Sequence, residues 1–362
     1  MRRRVLLAGL GLSFTGLPFI GLDRPGPSDP NLSGPGLSGR GPGGMGPGGM
    51  GPGTAHAASP LLLITGAPAD SSGDEIARSF AVALSRQLEN TGVQVVNVPG
   101  DGGRTALNAL AAAPPGNGAP GGVPGGVIGW VATPVLPARM VDRADPSLAT
   151  RLTLLGSVAR EPIAFVASAA DPLDSVRDIL QRASQDSGSM PLGTPPPGSP
   201  PHLAALRLQR MTQTRLNIIA FPTTTAARQA LLGGNVAAAV LGLSDVIAAL
   251  REDKLVGLGI AARKRAGILP DMPVLSEAGV PLSAWIRRGV AVSAGLSPET
   301  AARLAAALKA VAEDAAFQEK SEALGLLAAW TDAAAWNAQM EREREELAAM
   351  WAADPWLNAS GQ

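Results

Sequence analysis

An apolar run opens residues 61–78 of this 362-residue chain, which read LLLITGAPADSSGDEIAR. The run from Leu61 to Ile64 is short and sharply bounded, which predicts a buried strand. Small residues from Thr65 to Gly73 predict a loop, and Asp74 or Ser72 can cap the helix that follows. Strand, loop and helix N-terminus together leave backbone N–H donors facing open space, which suits an anionic group. A plain strand-to-helix connection with a good cap is the alternative.

The same order of strand, loop and helix recurs along the chain. Apolar residues continue the first helix at helical spacing, through Ala77, Phe80, Ala81, Leu84 and Leu88. Further predicted elements are strands at 93–98, 126–132, 152–158 and 163–166, a glycine-rich loop at 99–104, a helix at 105–113, a helix capped by Asp174 or Ser175, and a helical tail at 297–356 that begins with Ser297 and Pro298. This alternation predicts an α/β fold, in which ligands bind at the carboxyl ends of the strands.

Composition excludes several classes of function. Basic and acidic residues balance at 30 each, which argues against a nucleic-acid partner. Cysteine is absent, which removes disulfides, thiolate catalysis and Cys-ligated metals. The two histidines are His56 and His202, and His56 lies before the predicted cleavage point, so we predict no metal site and no cofactor. We interpret His202 as a helix cap or pocket donor rather than a catalyst.

The N-terminus has the pattern of an export signal. Arg2 to Arg4 precede an apolar, glycine-containing segment from Val5 to Leu22, which is typical of a twin-arginine signal. Ala55-His56-Ala57 has the small-x-small form of a cleavage site, and the Gly/Pro repeats at 41–53 are predicted to be disordered. We therefore predict a signal and linker over 1–57 and a periplasmic protein. An uncleaved membrane anchor is the alternative.

Several motifs occur in a fixed order between Pro60 and Leu347. They are Pro68-Ala69-Asp70-Ser71 with Asp74, Ala77 and Arg78, Pro99 to Gly103, Gly198-Ser199 with His202-Leu203, Leu231 to Val236, Lys254-Leu255, Ala262 to Arg265, Leu269 to Pro273, and Ser276 to Gly279. In this order they resemble the substrate-binding proteins of tripartite tricarboxylate transporters. Each motif alone is weak, but the ordered set is specific.

The resemblance implies a type II periplasmic-binding-protein fold, with two α/β lobes and a ligand cleft between them. Lobe one would comprise 58–160 and 288–362, lobe two 161–287, with crossing strands near Ile163 and Val290. The implied function is capture of a small carboxylate-like metabolite by a monomer and its delivery to a membrane permease. A sensor that docks on a signalling partner is the alternative. A hydrolase or lyase on the same fold is disfavoured, because no Gly-x-Ser-x-Gly elbow or other nucleophile–base pair is evident.

The family's binding loops carry over onto named positions of this chain. The implied ligand contacts are Ala69, Asp70, Ser71, Asp74, Gly102, Gly103 and Thr133 from lobe one and Ser199, His202, Thr223 and Thr224 from lobe two. Two departures bear on the ligand. Asp70 and Ser71 stand where the family has glycines, and Phe221-Pro222-Thr223 replaces a Tyr-Lys-Gly loop. These changes predict a ligand that is less acidic than usual, or one whose amine pairs with Asp70.

The charged run Glu341 to Glu346 lies in the predicted helical tail. Alternating charges are typical of a solvated helix face, and docking of a membrane partner is the alternative. The tryptophans at 330, 336, 351 and 356 are interpreted as packing residues.

Overall fold

The computed structural model describes residues 60–89, 91–115, 126–170 and 173–357. The predicted export signal, its alternative as a membrane anchor and the Gly/Pro repeats all fall in 1–57, outside the described residues. Among the residues that are described, no helix is long and apolar enough to cross a membrane.

Strands and helices alternate along the described chain. The strands are β1 (Leu61–Thr65), β2 (Val93–Asn97), β3 (Val127–Thr133), β4 (Leu152–Ser168), β5 (Pro191–Thr194), β6 (Asn217–Ala220), β7 (Ala238–Gly242), β8 (Leu255–Ile260), β9 (Trp285–Ser293) and β10 (Leu327–Asp332). The helices are α1 (Ser72–Gln87), α2 (Arg104–Ala112), α3 (Val135–Asp142), α4 (Leu148–Arg151), α5 (Val176–Gln185), α6 (Pro200–Thr212), α7 (Thr224–Leu232), α8 (Leu243–Arg251), α9 (Pro298–Glu313), α10 (Ala315–Ala323) and α11 (Ala333–Ala353).

The strands follow one path, β2-β1-β3-β9-β4-β7-β5-β6, with β8 and β10 also paired to β4. At one end β1 lies parallel to β2 and β3, and at the other β5 lies parallel to β6 and β7. β9 runs antiparallel to both β3 and β4. β4 pairs with β9 as far as Pro162 and with β7 from Ile163 onward, so this one strand belongs to both halves of the sheet.

Each half of the sheet has its own core. In the first half, Phe80 of α1 stacks on Trp130 of β3 with ring centroids 4.3 Å apart, and the apolar face predicted for α1 is buried. In the second half, Phe165 and Val240 pack under α5 and α6. Two cores joined by the shared strand β4 confirm the predicted two-lobed α/β fold. The lobe boundaries at 160/161 and 287/288 stay a prediction, and Val290 lies within β9, opposite Trp130 and Gly156.

The segment 152–168 forms one strand, and the prediction of two separate strands was wrong. Arg160, Glu161 and Pro162 interrupt the apolar pattern, which suggested a break between them. Glu161 is instead fully buried, because Ser244 and Arg288 supply its hydrogen bonds. A buried charge that is paired in this way can continue a strand.

The tail is not helical throughout, which corrects a second prediction. Gly325, at a φ of 81°, ends the helical segment α10, and β10 then pairs with β4 before α11 begins. Alanine-rich sequence favours a helix locally, but an unpaired strand edge offers hydrogen bonds that local propensity does not include. The predicted cap at Ser297 is confirmed, since its hydroxyl accepts a hydrogen bond from the Thr300 amide.

Candidate functional site

A cavity of about 660 Å³ lies where the predicted binding loops meet. The loops that follow β1, β2, β3, β5 and β6 all reach it from the carboxyl ends of their strands, where open α/β sheets bind ligands. Eight of the eleven predicted contacts line it, namely Ala69, Asp70, Ser71, Gly102, Gly103, Ser199, Thr223 and Thr224. The structure therefore brings most of the predicted site together.

Asp74 lies beneath the first loop rather than in the cavity wall. Its carboxylate accepts hydrogen bonds from the Asp70 amide at 3.1 Å, from Arg78 at 2.9 Å and from Asn97 at 2.8 Å. Burial alone would raise the pKa of Asp74, but these hydrogen bonds outweigh it and lower the pKa. Ser71, rather than Asp74 or Ser72, caps α1. Asp74 thus holds the loop in shape, and the geometry does not favour direct contact with a ligand.

The second loop depends on glycine. Gly102 has a φ of 60° and Gly103 a φ of 95°, a region that side chains disfavour. A Cβ on Gly102 would lie 2.8 Å from Nη1 of Arg139, which is buried directly behind the loop. These two positions expose bare backbone to the cavity because neither tolerates a side chain.

Thr133 and His202 also lie behind the wall. Thr133 is fully buried, and its hydroxyl accepts a hydrogen bond from the Trp336 indole at 3.1 Å. Nδ1 of His202 accepts a hydrogen bond from the Gly198 amide at 3.3 Å. Burial, together with nearby Arg139, lowers the pKa of His202 to about 4. The neutral imidazole therefore supports the loop that ends at Ser199, which is a different role from the predicted pocket donor.

Three helix N-termini open onto the cavity. Ser71 caps α1 and accepts from the Asp74 amide at 3.2 Å, and Ser199 caps α6. Thr223 caps α7 and accepts from the Ala226 amide at 3.0 Å. The hydroxyls predicted as ligand donors are therefore also helix caps. Free N–H groups remain in the first turns of α1 and α7 and give this end of the cavity a partial positive charge, whereas the first two residues of α6, Pro200 and Pro201, carry no N–H.

Sequence reasoning missed Arg288, the one cation that lines the cavity within the described part of the chain. One end of its guanidinium donates to Glu161, while Nε is buried without an acceptor. Glu161 also accepts from the amide and hydroxyl of Ser244, at 2.9 and 2.6 Å. The available signal was a pair of charged residues beside each predicted crossing, Arg160-Glu161 on one strand and Arg287-Arg288 on the other.

Asp245 was missed as well. Its carboxylate accepts a short hydrogen bond from the Ser72 hydroxyl, which joins α8 of the second half to α1 of the first across the cavity. Burial and the neighbouring Glu161 raise the pKa of Asp245 to about 6, against the opposing effects of the Ser72 hydrogen bond, Arg288 and Arg228. Near neutral pH the cavity therefore holds one cation and several carboxyl groups.

Replacing Asp245 with asparagine is expected to stabilise the protein increasingly as the pH rises. The Asp245 carboxyl has a pKa of about 6 in the native state and 3.8 in the unfolded state, so the native state binds the proton more tightly. The contribution of this group to wild-type stability therefore decreases as the pH rises from about 4 to about 6. The lowered pKa of His202 makes stability rise with pH, but it does so equally in wild type and variant and therefore cancels when their stabilities are subtracted. The melting temperature of Asp245→Asn minus that of wild type should grow from about pH 4 to about pH 7. A difference that stays constant over this range would contradict the assignment.

Ser199 and His202 are not arranged as a nucleophile and its base. Ser199 receives a hydrogen bond from the His202 amide, not from its imidazole, and Nδ1 of His202 is occupied by Gly198. Within the described ranges, no three His, Asp or Glu side chains converge as a metal site. The arrangement of bare loop backbone, helix N-termini and one arginine is suited to binding.

Comparisons with known proteins agree with this architecture. A sequence model of the family described as "Tripartite tricarboxylate transporter family receptor" matches residues 76–346. A UPF0065 protein of Bordetella bronchiseptica is 27% identical over 220 residues, which cover 60% of this chain. The chain spans 63% of the length of that relative.

Solved structures show the same fold. A TctC solute-binding protein from Polaromonas is 24% identical, with a TM-score of 0.63, over 82% of this chain and 99% of that one. MatC from Rhodopseudomonas palustris, solved with bound malate, is 21% identical, with a TM-score of 0.68, over 81% of this chain and 98% of that one. The fold is the type II periplasmic-binding-protein fold. Because the family match covers most of the sequence, the chain belongs to the tripartite tricarboxylate transporter receptor family.

Proposed function

We propose that the protein is a periplasmic solute-binding protein that captures a small carboxylate-like metabolite between its lobes and delivers it to a tripartite tricarboxylate-type permease. The observation that carries this proposal is the cavity itself, where the donor-bearing N-termini of α1 and α7 and the guanidinium of Arg288 face one space. Its volume of about 660 Å³ lies within the range of roughly 300–1,000 Å³ that is usual for small-molecule sites.

The charges around the cavity favour binding of one ligand carboxylate and disfavour a second one. Each helix N-terminus stabilises an anion by about 0.3–1 kcal/mol, and by up to about 2 kcal/mol when partly buried. Arg288 adds a charge-assisted donor. Asp70, Asp101 and Asp245 also line the cavity and disfavour further negative charge nearby. We infer a ligand with one carboxylate at the helix N-termini and a neutral or amine-bearing end near Asp70.

Two observations support the family's ligand class and location for this chain. MatC, a neighbour in fold, was solved with malate, a dicarboxylate. The apolar segment that follows Arg2 to Arg4 has the pattern of an export signal, which supports a location in the periplasm, where a receptor of this family meets its permease. Delivery as a monomer, and the lobe boundaries 58–160, 161–287 and 288–362, belong to the same proposal.

A thermal-shift series tests the proposal. A ligand at about a hundred times its dissociation constant stabilises the protein by roughly 2.7 kcal/mol, which raises the melting temperature by several degrees. The panel comprises malate, longer dicarboxylates, monocarboxylates and amino acids, with malamide as a neutral control matched to malate in size. A shift with an acid and none with its amide is expected. Folded protein that shifts with no carboxylate in the panel would contradict the proposal.

A further inference from the structure

A second concave surface lies on the face of β9 opposite the ligand cavity. Arg287 and Arg288 are neighbours on this strand, so their side chains point to opposite faces. Arg288 lines the ligand cavity, whereas Arg287 lines a groove of about 910 Å³ between α6, α11 and the segment 281–285. We call this second surface the basic groove, because five arginines line it: Arg207, Arg210, Arg263, Arg287 and Arg342.

Only part of that positive charge is compensated within the groove. Arg207 makes a two-bond pair with Glu346, at 2.7 and 3.1 Å, and Arg287 pairs with Glu343 at 3.3 Å. The other three arginines are exposed and form no ion pair with another described residue. In a chain whose 30 basic and 30 acidic residues balance, this surface concentrates unpaired positive charge.

The positive surface extends beyond the groove. An adjoining hollow of about 470 Å³ shares Arg263 and Arg287 with it and adds Arg160, Lys264 and Arg265. Of these, Arg265 is paired with Glu277, and Arg160 lies over the ring of Trp285 at 4.6 Å. Trp285 borders both hollows, so the two are continuous. Together, at about 910 and 470 Å³, they offer more space than a compact ion fills, which suits a peptide segment.

The groove also offers apolar contact. Leu282, Ala284 and Met350 form buried parts of its lining, and Met211 is 48% exposed beside them. A large exposed apolar side chain with arginines around it resembles the centre of a binding surface with a polar rim. An occupant therefore needs carboxylates for the arginines and apolar side chains for the lining between them.

We propose that the basic groove is the docking site for an acidic segment of a partner protein. The segment would place carboxylates against Arg210, Arg263 and Arg342 and an apolar side chain against Met211. Opposite charges on two surfaces accelerate encounter and make the association sensitive to salt. Glu343 and Glu346 inside the groove disfavour a continuous polyanion such as a nucleic acid, because its phosphates could not avoid them.

Docking at this groove would also depend on how the lobes are arranged. α6 packs on the core of the second half through Ala204, Ala205 and Leu208, whereas Trp336 and Met340 of α11 pack on β3 and β9 of the first half. The Arg207–Glu346 pair and a buried apolar cluster that includes Leu203, Leu347 and Met350 join the two walls. A segment that contacts both walls binds the arrangement seen here in preference to one in which they separate. The affinity of the groove for such a segment would therefore depend on the lobe arrangement, although the segment lies outside the ligand cavity.

Fluorescence anisotropy of the full-length protein tests the proposal. The probe is a fluorescein-labelled peptide of repeating Glu-Glu-Leu units, with a Lys-Lys-Leu peptide as its control. Wild type is expected to bind the acidic peptide at low salt, more weakly as salt increases, and not to bind the basic one. The double variant Arg210→Glu/Arg263→Glu should lose at least about tenfold in affinity, which corresponds to about 1.4 kcal/mol.

A matched variant distinguishes an effect of the groove arginines from an effect of the protein's net charge. Arg177→Glu/Arg303→Glu changes the charge equally at exposed positions on α5 and α9, outside the groove, and should keep wild-type affinity. Equal loss in both double variants, or no binding of the acidic peptide to folded wild type, would overturn the proposal. So would displacement of the peptide by citrate at equal carboxylate concentration, since that would mark a site for small polyanions.

Discussion

Arg288→Met is expected to weaken carboxylate binding about 10–100-fold and to lower the free energy of unfolding by about 3–5 kcal/mol. Arg288 is the only cation lining the cavity in the described part of the chain, and it is also the cationic partner of the fully buried Glu161. Removing it leaves an uncompensated carboxylate in the interior. At about 2–4 °C per kcal/mol, the melting temperature should fall by roughly ten degrees, which calorimetry measures directly.

The double variant Glu161→Gln/Arg288→Met separates stability from binding. Removing both charges takes away the buried charge, and the glutamine can still accept the Ser244 hydrogen bonds. We expect most of the lost stability to return, while affinity for the acid that wild type binds stays about 10–100-fold lower, the loss of one charge-assisted hydrogen bond. Recovery of affinity together with stability would show that Arg288 acts only on Glu161 and does not touch the ligand.

Gly289→Ala is expected to destabilise the protein severely, by about 3 kcal/mol or more. A Cβ at this position would lie 2.2 Å from the Gly156 carbonyl oxygen and 2.5 Å from Cα of Ser157. Both neighbours are backbone atoms of β4, so no side-chain rotation relieves the contact. Since β4 and β9 make the central pairing of the sheet, the clash has to displace β4, the strand that both halves share. Denaturant unfolding monitored by circular dichroism measures the loss.

Gly267→Ala is the matched control. A Cβ on Gly267 would meet no atom within 4 Å, so this substitution should change stability by no more than about 0.5 kcal/mol. Equal effects at the two positions would contradict the packing argument. A neutral Gly289→Ala would show that β4 and β9 can move apart without cost.

The candidate site shows which binding residues loop motifs can predict and which they cannot. Glycines and capping hydroxyls were predictable, because a left-handed loop or a helix start leaves a local signature at Gly102, Ser199 or Thr223. Asp74 and His202 carried the same kind of signature but lie behind the wall. A motif identifies residues that build a loop, and only the packing decides which of their atoms face the ligand.

The sequence by itself determined the alternation of strands and helices, the two-lobed fold and the loops that meet at the cavity. The alternation and the loops follow from local pattern, such as the apolar run at Leu61 or the glycines before α2, whereas the two lobes were implied by the resemblance of the ordered motifs to a known family. Tertiary structure decided the rest. Arg288 meets Glu161, Ser72 meets Asp245, and β10 pairs with β4 across long separations in sequence. These contacts leave no signature in the local sequence. Each side chain would face water if the sheet did not bring its partner next to it.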